Sequence, residues 1–302
     1  MKRIGDLILV LTAAGVFWSG VAGAEERLQN WAENKDLGKK IVLLGVGPVN
    51  KLKENGIASP KKVGLISFYL WDSGTFEFNA MAHQYGGVYQ ETAGLTPKGA
   101  NHFATKLAEA GIPALKNAFA AQGMELLLPV EFAKTDQQRQ AYVNFALPMG
   151  KLGGAALNIA QWIQKTPKAS SAATGFNGIH THLWQDATML TALEELRQQL
   201  GLDVIAVLAN TSVSDKKGVM LTGVEFYMYG HNPVPKPSQK IAQFAWSPGM
   251  PYAKAQFGKG FKGVQIAKIK KGEVEAEDYE GYDKIAAALA TEALKEFGKK
   301  YE

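Results

Sequence analysis

The sequence predicts an α/β fold: a single domain with a mixed β-sheet and helices packed on its faces, preceded by an N-terminal signal peptide. Three observations carry this prediction. Apolar, strand-like runs alternate along the chain with amphipathic helical stretches. Two long apolar runs, 202–210 and 217–230, are joined by a short polar link, the pattern of a β-hairpin. The 302 residues are 46% hydrophobic and 20% charged, enough to bury a core without the disulfides that a chain lacking Cys cannot make.

The N-terminus reads as an export signal. Lys2 and Arg3 precede the apolar run "LILVLTAAGVFWSGVA", and "AGA" precedes Glu25. A basic start, an apolar middle and a small-residue cleavage site define a signal peptide at 1–24 and a mature chain at 25–302. The run from Leu7 to Ala24 is close to the roughly 17–20 residues of a spanning helix. Retention as an anchor is therefore the alternative, and the small residues at its far end favour cleavage. No Cys is available for lipid attachment. No second apolar run reaches spanning length, so the mature chain is expected to carry no membrane span and to be periplasmic or secreted. The net charge of +5 is spread widely, without the basic block of a nucleic-acid-binding surface.

The elements follow in order. Residues 25–40 are polar and helical, with Trp31 and Leu37 as tethers. "KKIVLLGVGPV" (39–49) is a short strand closed by Gly and Pro, and "KVGLISFYLW" (62–71) is a second, more hydrophobic one. Residues 72–94 are rich in Gly and aromatics and form turn, short strand and loop. Thr96 and Pro97 start a helix, Thr as cap and Pro in the first turn. Phe103, Leu107, Leu115, Ala118 and Phe119 continue it, Gly111 and Pro113 predict a kink or a division in two, and Gly123 ends it. "MELLLPVEF" (124–132) and "QAYVNFAL" (140–147) are expected strands, and 155–165 a short amphipathic helix. Residues 166–178 make the loop whose composition is most mobile.

"LWQDATMLTALEELRQQLG" (183–201) is the strongest helix, with Leu183, Ala187, Leu190, Leu193, Leu196 and Leu200 on one stripe. "LDVIAVLAN" (202–210) is a strand buried on both faces, and 217–230 is its hairpin partner. The Pro-rich 231–239 leaves the sheet, 246–260 is aromatic loop, and 261–272 is a weaker edge strand. Residues 282–301 form a closing helix with Ile285, Leu289 and Leu294 inward.

The run of strand 62–71, helix 97–122, strand 124–130, helix 183–200 and strands 202–210 and 217–230 resembles the periplasmic α/β domain of CsgG-type outer-membrane assembly proteins. "KVGLISFYLW" stands where those proteins place a first core strand, and "GLDVIAVLANTSVSDKKGVMLTGVEFYMYG" is similar to their late strand and hairpin. The resemblance covers about half the chain, includes no catalytic motif, and lacks the lipidated Cys common in that group. It implies an envelope compartment and a mixed sheet.

Two constellations bear on chemistry. "IHTHLWQD" (179–186) sets His180 and His182 two apart, with Asp186 close by. On a strand both imidazoles would share a face, and neutral imidazole is a common ligand for zinc or another divalent metal. His83 or His231 could complete such a site, which would make the chain a metal-assisted hydrolase. Against this, Gly175, Asn177 and Gly178 read as a loop, and Thr181 as the cap of the following helix. No HExxH occurs, and no nucleophile elbow surrounds Ser73, which stands with Asp72 in a turn signal. The Gly-rich stretches 45–51 and 150–158, the latter with Lys151, fall short of a phosphate cradle.

The second constellation is aromatic. On an unbroken strand over 217–230, Val219, Leu221, Glu225, Tyr227 and Tyr229 share one face, and Met220, Val224, Phe226 and Met228 the other. A carboxylate buried among apolar groups is costly without a partner. Glu225 therefore has a basic partner, a raised pKa or contact with solvent. Trp71, Glu225, Tyr227, Tyr229 and His231 are the expected ligand-binding residues, on a surface edged by strand ends, since binding sites join apolar surface with a few placed polar groups. The sequence favours an envelope protein that binds a partner protein or an apolar small molecule without catalysis and without a cofactor.

Overall fold

The computed structural model describes residues 27–46, 58–72, 97–143, 145, 171–173, 189–215, 217–231, 252–257, 261, 263–270 and 273–301. The expected signal segment, Ser73, His83, Lys151, His180, His182, Asp186, the expected helix 155–165 and most of the expected loop 166–178 lie outside them.

Nine strands among these residues form one mixed sheet: β1 (Ile41–Val46), β2 (Lys62–Asp72), β3 (Glu125–Leu127), β4 (Ser171–Ala173), β5 (Val204–Asp215), β6 (Gly218–Tyr229), β7 (Tyr252–Phe257), β8 (Val264–Lys270) and β9 (Glu273–Glu277). The order across the sheet is β1-β7-β6-β5-β2-β3. β2 runs parallel to β5 and β3, and the other pairs are antiparallel. The outer side of β6 takes β7 along Val224–Tyr229 and β8 along Gly218–Leu221, and β9 then pairs with β8. The expected hairpin is present as β5 and β6, with β5 continuing past Asn210 as far as Asp215.

Helices cover both faces. α2 (Pro97–Ala120) and α6 (Tyr282–Gly298) pack on one face with the short α1 (Leu28–Ala32). The other face carries α3 (Pro129–Phe132), α4 (Asp136–Val143) and α5 (Met189–Leu200). Alternation along β5 divides the two cores: Val204, Ala206 and Leu208 face α2 and α6, while Ile205, Val207 and Ala209 face α5. The inward positions expected for α6, Ile285, Leu289 and Leu294, are all buried, as are Leu193, Leu196 and Leu200 of α5. Among the described residues no helix is long and apolar enough to cross a membrane.

Four register shifts interrupt the ladders among the described residues, and two of them reset the faces of the long strands β2 and β6. On β2 the register against β5 jumps between Leu65 and Ser67, so Ile66 is an extra residue. Val63 and Leu65 before it, and Phe68 and Leu70 after it, consequently all face α2 and α6. The Ile66 carbonyl, displaced from the ladder, accepts the buried Tyr142 hydroxyl of α4 at 2.7 Å. On β6 the jump falls between Thr211 and Ser212 of the partner strand and makes Thr222 the extra residue.

Several expectations are corrected. Residues 124–132 form only the three-residue β3, followed by a helical turn with Pro129 in its first position and the Glu131 carboxylate accepting Leu128 N at 2.7 Å. Of the expected strand 140–147, residues 140–143 are helical instead. α4 occupies 136–143 because Thr135 and Gln138 build a capping box: Thr135 Oγ1 accepts Gln138 N, and Gln138 Oε1 accepts Thr135 N, both at 3.1 Å. α2 is one continuous helix, with Pro113 on its exposed side. Gly111 has a structural use there, since a Cβ would lie 2.8 Å from Cε1 of Tyr282. The expected loop 246–260 contains β7, an interior strand between β1 and β6. β8 is no edge strand, because the acidic β9 covers it.

Candidate functional site

Because Thr222 is extra, Val219, Leu221, Val224, Phe226 and Met228 all face the α2/α6 core, and Tyr227 and Tyr229 belong to the opposite one. The single apolar-plus-Tyr face expected along β6 is therefore split at the bulge. Glu225 sits between Val224 and Phe226 on the Tyr face. β7 brings Gln256 opposite Glu225 and Lys254 opposite Tyr227.

Lys254 is the basic partner that Glu225 requires. Its Nζ lies 3.0 Å from Glu225 Oε1 and 5.1 Å from the centre of the Tyr227 ring. The Tyr227 hydroxyl donates to Glu225 Oε2. The Glu225 and Lys254 side chains are 20% and 21% exposed, so solvent screens the pair only in part. The aromatic ring gives the ammonium a second favourable contact. β1 extends this surface: Val42 stands opposite Gln256 and Leu44 opposite Lys254. Val42, Leu43 and Leu44 are 49%, 39% and 48% exposed, three large apolar side chains in succession. The result is a shelf with a neutralised Glu–Lys–Tyr centre and an aliphatic rim. It can offer hydrogen bonds and apolar contact at once, and its one carboxylate and one ammonium are held by each other.

The remaining expected residues lie elsewhere. Tyr229 is buried in the α5-side core. Trp71 is the last residue but one of β2, opposite Thr211 of β5 and Ser171 of β4, so β5 separates its strand from β6. His231 leaves β6 toward α5, where its Nδ1 lies 2.9 Å from Glu194 Oε1 and 3.0 Å from Arg197 Nη2. An unprotonated Nδ1 accepts from Arg197, and a protonated one donates to Glu194. Arg197 also grips Glu194 with two bonds, 2.8 and 2.9 Å. Among the described residues no three metal-capable side chains form a group. Sequence reading missed Lys254 and Gln256, although "YAKAQF" alternates small inward residues with long polar ones at the strand period of two.

The Glu194 cluster gives an acid-dependent stability. Burial disfavours the carboxylate, but hydrogen bonding and charge from Arg197, with Gln198 and His231, outweigh it and hold the carboxyl below the ordinary range. A carboxyl depressed on folding stabilises the protein above its unfolded pKa, about 4.3, and that contribution is lost as pH falls through the folded value. Glu194→Gln is expected to flatten the fall in melting temperature below about pH 4.3 while lowering stability at neutral pH. Thermal melts of both proteins from neutral to acid pH check this, and parallel acid limbs would refute it.

Comparisons of the chain with protein-family models, with curated proteins and with solved structures found no match.

Proposed function

We propose that this is an exported envelope protein that acts by binding a partner protein, without catalysis, through the β1 edge and the adjoining Glu225–Tyr227–Lys254 shelf. The observation that carries the reading is the succession of exposed Val42, Leu43 and Leu44 on a strand whose outer edge is unpaired among the described residues. Exposed apolar groups clustered beside oriented polar ones mark recognition surfaces. Strand edges are ready templates for another chain's backbone. Export follows the signal-like residues 1–24, and the resemblance to CsgG-type assembly proteins supports the same compartment. A small apolar ligand is the other occupant that the sequence allows. The exposed rim formed by Val42 and Leu44 on an end strand suits a protein better.

A photo-cross-linking residue at position 42, introduced into the protein in its own envelope, tests the reading. A discrete protein adduct is expected, lost when Leu44→Lys is added. No adduct, together with bound lipid-sized mass retained in native mass spectrometry, would overturn it in favour of a carrier. The intact mass of the exported chain is expected to begin at Glu25.

A further inference from the structure

We infer that the occupant of the β1 edge is a second copy of this chain, paired antiparallel along Ile41–Gly45 about a two-fold axis at Leu43. This inference rests on the reading of that edge as a recognition surface and names its partner.

The strand edges differ in what they discourage. β9 is exposed along its whole length and carries Glu273, Glu275 and Glu277 at every second position. Another acidic strand laid against it would oppose like charges, a common guard against edge pairing. β3, at the far end of the main strand order, offers only three residues. β1 has no charged residue in its six, and its exposed Val42, Leu43 and Leu44 point to alternate faces. The two cations just before it are turned back onto their own chain. Lys39 Nζ bonds Asp36 at 2.8 Å, and Lys40 Nζ lies 5.9 Å from the centre of the Trp31 ring.

The strand is complementary to itself. A two-fold axis normal to the sheet keeps the helix-covered faces of both copies on the same side. Centred on Leu43, it sets Leu43 against its counterpart on the α6 side, with Ile41 opposite Gly45, where the missing side chain leaves room. On the other side it sets Val42 opposite Leu44, twice, and gathers four aliphatic side chains between the two Glu225–Lys254 pairs. Lys40 then stands across from Val46, and Lys39 lies beyond the paired strand, so no like charges are opposed. The product is one sheet continuous through both copies.

Because the chain has no Cys, a single introduced thiol reports the register directly. Directly opposed residues bring Cα atoms about 4.5–5.5 Å apart, inside the disulfide range of roughly 4.4–6.8 Å. Diagonal neighbours, about 7–8 Å apart, fall outside it. Under mild oxidation the purified Leu43→Cys protein is expected to become a covalent dimer. Val42→Cys and Leu44→Cys alone are expected not to, and the Val42→Cys/Leu44→Cys double variant is expected to cross-link. In sedimentation velocity the unaltered protein should be a dimer that Leu43→Lys converts to monomer, with an unchanged circular dichroism spectrum and a melting temperature that no longer rises with protein concentration. A monomeric unaltered protein, or Leu43→Cys that cross-links no faster than Val274→Cys on exposed β9, overturns the inference. Efficient cross-linking of Leu44→Cys alone overturns the register. If the protein is monomeric yet the photo-cross-linker at position 42 captures a different protein, self-pairing fails and the recognition reading stands. If neither occurs, both fail.

Discussion

Tyr282→Ala is expected to lower the stability of this protein by about 3–5 kcal/mol, the range for deleting a buried aromatic ring. Tyr282 is fully buried in the first turn of α6. Its ring lies against Gly111 of α2, and its hydroxyl donates to Asn210 Oδ1 at 2.6 Å. Asn210 Nδ2 in turn donates to the Tyr69 carbonyl at 3.1 Å. Tyr282 thus joins α6, α2 and β5, and Asn210 carries the link on to β2. Burial pushes the Tyr282 hydroxyl well above the usual phenol range, outweighing the opposite effect of Asn210, so it remains a donor. Tyr282→Phe separates the two contributions: volume is kept, but a buried acceptor loses its partner, at a cost of about 1–3 kcal/mol. Urea unfolding of both variants checks the order. Equal losses for Phe and Ala would show that the ring contributes nothing beyond its hydroxyl, against the packing described.

Gly281→Ala is expected to cost about 2–5 kcal/mol, from two sources that add. Gly281 precedes α6 at φ 89°, where a residue with a Cβ is strained by roughly 1–2 kcal/mol. The Cβ would also lie 2.8 Å from both Gln29 Cα and Ala32 Cβ, and 3.0 Å from Gln29 N. These are mostly backbone atoms of α1, which cannot rotate away, so α1 must lift from α6. Gly123 is the control. It has φ 70° and nothing within 4 Å of an added Cβ, so Gly123→Ala should show the backbone contribution alone. If the two alanine variants melt alike, the close approach of α1 to Gly281 contributes nothing.

The long periodic elements are legible because their signal is local. β2, β5, β6, α2 and α6 each carry enough apolar residues at one period to be read without knowledge of their neighbours. α4 is also encoded locally, through Thr135 and Gln138, but the apolar "AYVNFAL" within and beyond it imitates a strand. β7 and β9 escape recognition because Ala253 and Ala255 are too small to raise the hydrophobicity of their run, and glutamates dominate β9. For the site, Glu225 stands out for the right physical reason, the cost of burying a lone carboxylate. Its partner does not, because Lys254 belongs to a strand whose sequence reads as loop.

By itself the sequence determined which segments are strands and helices along most of the core, and that Glu225 needs a compensating charge. Which side of the sheet each strand residue occupies, and which charges meet, follows from the folded arrangement alone. A side-chain period of two reverses on insertion of one residue, and whether Ile66 or Thr222 is that extra residue depends on hydrogen bonds to β5. Ion pairs such as Glu225–Lys254 form between strands brought together by folding, and nothing near either residue in the chain encodes the meeting.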